Sequence, residues 1–92
     1  MKLTHRQRDF LANVENLQVE NEGDPIHYSA LAKRLDISNS TAYHMLRVLE
    51  SKGCVVSRYH LPEVRIGRSS VVFELSSSGR DFLETARLAQ VA

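Results

Sequence analysis

Asn39, Ser40, Tyr43, His44 and Arg47 recur at the interval that gathers side chains on one face of an α-helix. Their amide, hydroxyl, imidazole and guanidinium groups form a surface of hydrogen-bond donors and acceptors with a single permanent charge. Laid in the major groove of duplex DNA, such a face meets base edges and phosphates. The opposite face carries Ala42, Met45, Leu46 and Leu49, which are apolar and belong against a core. Ser38 precedes this pattern and is a good N-cap, because its hydroxyl can accept from the Ser40 or Thr41 N–H. The helix N-terminus it caps can also receive a phosphate.

Other chemistries find less support. The four histidines, His5, His27, His44 and His60, fall in separate elements and fit no usual metal-ligand spacing, so no metal and no other cofactor is expected. The one cysteine, Cys54, cannot form an internal disulfide, and next to the helix-ending Gly53 it reads as packing rather than as a thiol sensor. No nucleophile with its base and oxyanion donors, no glycine-rich phosphate loop and no paired carboxylates are present, so the sequence predicts no enzyme.

Net charge is only +1, but it is unevenly spread. Residues 31–72 hold seven lysines and arginines against three acids, whereas the segments on either side are slightly acidic. A polyanion would be met by the middle of the chain. Ninety-two residues make one domain, 1–92, with one modest core, and a hydrophobic fraction of 42% is that of an ordinary globular protein. No apolar run approaches the roughly 20 residues that span a bilayer, and the charged start at Lys2 and Arg6 is unlike a signal peptide. A reduced, cytoplasmic protein without membrane contact is the simplest expectation.

The polar face must be held by the elements around it. Thr4 and Gln7 read as a capping box ahead of Phe10, Leu11, Val14 and Leu17, giving a helix over about residues 5–20, with Gly23 as a left-handed C-cap and Asp24-Pro25 beyond it. Ile26-His27-Tyr28 is too short to assign. Leu31, Ala32 and Leu35 mark a second helix that begins at His27 or Ser29. Asp36-Ile37-Ser38 interrupts the pattern, with Ile37 as the plug of a tight turn, and Ala32 and Ala42 are small where the second and third helices cross. Residues 55–60 and 71–75 are rich in β-branched and aromatic residues and read as two strands of an antiparallel hairpin. The segment between them, Leu61 to Ser70, holds Arg65 and Arg68. Ser76 caps a last helix with Phe82, Leu83, Ala86 and Ala89 on one face. The expected fold is mainly α with a small β-hairpin, a winged helix-turn-helix of three-helix core, wing and C-terminal helix.

The run Leu-Ala-x-x-Leu-x-Ile-Ser-x-x-Thr-Ala at 31–42, followed by Leu-x-x-Leu-Glu-x-x-Gly at 46–53, resembles the helix-turn-helix of winged-helix regulators of the MarR, TrmB and IclR kinds. Phe-Glu-Leu-Ser-x-x-Gly-Arg at 73–80 resembles the junction after the wing in MarR-like domains. The resemblance covers roughly residues 26–80. The pieces His-Tyr-Ser, Thr-Ala-Tyr and Gly-Arg-Ser-Ser-Val-Val-Phe also resemble the N-terminal domains of larger regulators with a hydrogenase-like or other sensor domain. The resemblance implies sequence-specific binding of double-stranded DNA in transcription control. The third helix, about 39–52, would enter the major groove, and the wing, about 61–70, would lie on the adjacent groove or backbone.

Carried onto this chain, Ser40, Tyr43 and His44 take base-reading positions, and Asn39 and Arg47 flank the phosphates. Ser38 and Thr41 stand at the helix start, Lys33 adds charge from the second helix, and Arg65 and Arg68 grip DNA from the wing. A homodimer through the terminal helices or a downstream domain is expected, because the last helix stops where MarR proteins continue into long dimerisation helices. The stop within a helical pattern suggests part of a longer chain. The rival reading is a winged-helix module that binds protein and no DNA, motivated by the low net charge and the acidic first helix.

Overall fold

The computed structural model describes residues 2–60 and 70–91 of the chain, and the predicted wing positions Arg65 and Arg68 lie outside them. Helix α1 spans His5–Glu20. Its capping box forms as the sequence predicts: the Gln7 N–H donates to Thr4 Oγ1 at 3.1 Å, and the Thr4 N–H donates to Gln7 Oε1 at 3.0 Å. Phe10, Leu11 and Val14 are buried. The helix ends in a Schellman motif, with the Gly23 N–H on the Gln18 carbonyl at 2.8 Å and the Glu22 N–H on the Val19 carbonyl at 3.1 Å. The expected C-cap is therefore corrected by one position. Glu22, at φ 58°, makes the left-handed turn, and Gly23, at φ 88°, continues it.

Ile26–His27 forms a two-residue strand, β1, that the sequence did not disclose. Helix α2 follows at once over Tyr28–Leu35, with His27 as its N-cap: the Ser29 N–H donates to His27 Nδ1 at 3.1 Å. Helix α3 covers Asn39–Ser51, strand β2 Val55–His60, strand β3 Ser70–Leu75 and helix α4 Ser77–Val91. The sheet is antiparallel in the order β1-β3-β2, with Ile26 opposite Phe73 on one side of β3 and Ser57 opposite Phe73 on the other. The hairpin predicted from residues 55–75 thus becomes three strands, and β1 ties the entry of α2 to the hairpin.

The core gathers Leu11 and Val14 of α1, Leu31 and Ala32 of α2, Ala42, Leu46 and Leu49 of α3, Val55, Phe73 and Leu75 of the sheet, and Leu83 of α4. Among the described residues, one polar side chain joins it. Gln18, 4% exposed, accepts the Leu75 N–H at 3.0 Å and donates to the Gly23 carbonyl at 3.1 Å, so α1 is pinned to the end of β3 without an unpaired buried group.

Helix α4 starts on the α3–β2 junction. Ser76 accepts the Gly79 N–H at 3.0 Å as its N-cap, and the Ser76 N–H donates to the Cys54 carbonyl at 3.0 Å. Gly79 lies flat on that carbonyl, where a Cβ would overlap the Cys54 oxygen. Farther along, Leu83 is buried and Phe82 packs against the core, whereas Ala89 is exposed, so the predicted apolar stripe of α4 stops short of Ala89. Glu15 of α1 pairs with Arg87 of α4 and ties the two terminal helices together.

Candidate nucleic-acid interface

The turn between α2 and α3 is built by backbone geometry. The Ile37 N–H bonds to the Ala32 carbonyl at 3.0 Å while Asp36 takes a left-handed φ of 55°. Asp tolerates that conformation better than most non-glycine residues. Ile37 then packs against the core, in keeping with its expected role as the plug of the turn. Ala32 and Ala42 are both buried, and their small side chains bring the two helices together. Ser38 caps α3, accepting the Thr41 N–H at 3.1 Å, and its hydroxyl also bonds to Thr41 Oγ1 at 2.8 Å.

This arrangement presents Asn39, Ser40 and His44 to solvent along the first turns of α3, with Lys33 exposed on α2. None of these four side chains makes a hydrogen bond or ion pair with the described residues. Tyr28, Asn39, Ser40 and Tyr43 line a shallow open depression beside that face. Ser38 is exposed and Thr41 is half-buried at the capped end.

Tyr43 and Arg47 depart from the expected outward face. Tyr43 is half-buried, its ring edge-on to Tyr28 at 5.4 Å and to Phe73 at 6.2 Å. Arg47 leans back along the helix, donating to the Tyr43 hydroxyl from Nε at 2.9 Å and Nη2 at 2.7 Å. Its Nη1 donates to Glu50 Oε1 at 2.6 Å, and the Ser57 hydroxyl of β2 donates to Glu50 Oε2 at 2.6 Å. The guanidinium also lies 5.8 Å from the centre of the Phe73 ring on β3. These contacts hold the Arg47 pKa above its usual value, with the Glu50 bond the largest cause and the Tyr43 hydroxyl next. The Glu50 carboxyl is held below the usual carboxylate range, first by the Ser57 hydroxyl and then by Arg47.

Sequence reading missed Glu50 and Ser57. The Arg47–Glu50 spacing of a helix surface pair was there to be seen. Ser57 could be found only once the hairpin was placed against α3.

Other basic side chains are paired as well. Arg34 meets Glu20 at 2.7 Å and Arg58 meets Glu74 at 2.6 Å, both on the surface. Cys54 is buried, and burial pushes its thiol pKa up, which suits a packing role. No helix among the described residues is long and apolar enough to cross a membrane.

A tight turn joining two helices, a capped third helix with an exposed polar start, and a hairpin followed by a further helix define a winged helix-turn-helix domain. Comparison with known proteins agrees. Residues 18–58 match the family model of the IclR helix-turn-helix domain. No curated protein matches the chain. Among solved structures, S. aureus MepR bound to ethidium bromide is 20% identical with a TM-score of 0.69, over 99% of this chain and 61% of that one. The S. aureus MepR–DNA complex is 21% identical with a TM-score of 0.65, over 97% of this chain and 59% of that one. A PadR family transcription regulator from Clostridium difficile is 26% identical with a TM-score of 0.64, over 89% of this chain and 84% of that one. The chain thus spans about three fifths of the length of MepR. These likenesses establish the winged-helix fold.

Proposed function

We propose that this domain binds duplex DNA in a sequence-dependent way and serves transcription control. The observation that carries the reading is the exposed, unengaged start of α3, where Asn39, Ser40 and His44 stand on a helix rigidly set by the Ser38 cap and the Ile37 plug. A helix fixed at that angle can enter a major groove. Ser40 and His44 read base edges, with Tyr43 bordering them. Ser38, Asn39 and Thr41 sit nearest the backbone, and Lys33 adds phosphate contact from α2. Arg65 and Arg68 belong to the same reading as backbone grips. A second protomer, recruited through the terminal helices or a downstream domain, supplies the rest of the electrostatic grip, in a cytoplasmic setting. The match to the IclR helix-turn-helix domain and the MepR–DNA complex among similar structures support this reading.

One observation favours the rival, a protein-interaction module: Arg34, Arg47, Arg58 and Arg87 are each paired with a glutamate. The exposed pairs of Arg34, Arg58 and Arg87 are worth only about 0–1 kcal/mol each, so those arginines remain available to a phosphate. They therefore do not outweigh the free polar face. Fluorescence anisotropy with labelled duplexes tests the choice. Binding that weakens steeply between low and moderate salt is expected, and no binding at low salt would favour the rival.

A further inference from the structure

The position of Arg47 is hard to reconcile with a phosphate contact. Its side chain is 36% exposed, but its guanidinium is engaged at three points: the Tyr43 hydroxyl one turn back on its own helix, Glu50 one turn on, and the face of Phe73 on β3. Glu50 passes the connection to Ser57 on β2. Ser57 and Phe73 are register partners, so the chain of contacts reaches both strands at the root of the hairpin. Hydrogen bonds to a charged group are the stronger kind, and the Ser57–Glu50 bond that crosses to β2, together with the Arg47 guanidinium over Phe73 on β3, restricts how the hairpin can pivot on α3.

We propose that Arg47, through Glu50 and Ser57, is a positioning residue that sets the hairpin against the recognition helix, and that it does not itself contact DNA phosphate. The proposal rests on the DNA-binding reading above and adds how that site is held in shape. Its consequence runs against simple electrostatics. Glu50 is an acid beside a surface meant for a polyanion, so removing its charge should tighten binding if charge alone matters. If the carboxylate is a link in a lock, removing it should weaken binding.

The test measures duplex affinity across a salt series for the wild-type chain and for Arg47→Ala, Glu50→Gln and Ser57→Ala, at a temperature where circular dichroism shows each folded. Amide hydrogen exchange of β2 and β3 is measured in parallel without DNA. The lock predicts affinities about fivefold weaker in all three variants, with the wild-type salt slope retained in Arg47→Ala. It also predicts exchange about tenfold faster at Ser57 and Phe73 than in the wild type, with α1 unchanged. Tighter or equal binding by Glu50→Gln overturns the proposal. So does a salt slope in Arg47→Ala reduced by about one phosphate contact. If the wild-type chain binds no duplex, the DNA reading falls, and the exchange data still judge the lock: unchanged strand exchange in Glu50→Gln and Ser57→Ala overturns it.

Discussion

The Glu50 carboxylate accepts from Ser57 on a strand and from Arg47 on its own helix, and these bonds depress its pKa. A depressed carboxyl contributes stability that is fully present above its unfolded pKa and is lost as pH falls through the folded value. Glu50→Gln should therefore cost about 1 kcal/mol near neutral pH, and the gap to wild type in urea unfolding should shrink as pH drops below the usual carboxylate range. A gap that stays constant from neutral to acid pH would contradict this. Cys54 makes a second prediction at this scale. Being buried with a raised pKa, it should react with iodoacetamide only as the domain unfolds, and rapid labelling of native protein would refute the packing role. The polar residues of α3 were legible in the sequence as types. The inward lean of Tyr43 and Arg47 was not, because helical spacing gives a side chain's angular position and says nothing of an aromatic face waiting across the sheet.

Among the elements, the starts of α1, α3 and α4 were read at the caps the structure contains, Thr4, Ser38 and Ser76, and the start of α2 as His27 or Ser29, of which His27 is the cap. The entry of α2 was harder to read because His27 does two jobs, pairing with Val72 as part of β1 and accepting the Ser29 N–H. A two-residue strand has no periodicity to detect, and its partner lies far along the chain. Gly79 has no role in the sequence reading beyond its place in the Phe-Glu-Leu-Ser-x-x-Gly-Arg motif, yet it is the point where α4 rests on the Cys54 carbonyl. Alanine is the better helix former by about 1 kcal/mol, and the clash should reverse that preference. Gly79→Ala should destabilise the domain by about 2 kcal/mol in urea unfolding, and a variant as stable as wild type would show that the contact is loose. Gln18→Leu tests the other junction. It fits the apolar surroundings but strands the Leu75 N–H, so it should cost about 1–3 kcal/mol and raise the exchange rate of that amide.

For the whole molecule, the account is that a core of α1–α3 and the sheet holds one polar helix face in a rigid, exposed position. The inward side of α3, with Ala42, Leu46 and Leu49 fully buried, carries the fold. The outward side, Asn39, Ser40 and His44, is the proposed DNA-reading surface and holds little charge of its own. Sequence reading reached both sides of α3, because the buried and exposed sets fall at different phases of one helical repeat. The most direct measurement is selection of bound duplexes from a random-sequence pool, repeated with the Ser40→Ala/His44→Ala double variant. The account predicts an enriched motif with the wild-type chain and, with the double variant, a relaxed motif at retained salt dependence. No enrichment by the wild type, or the same motif from both proteins, would contradict it.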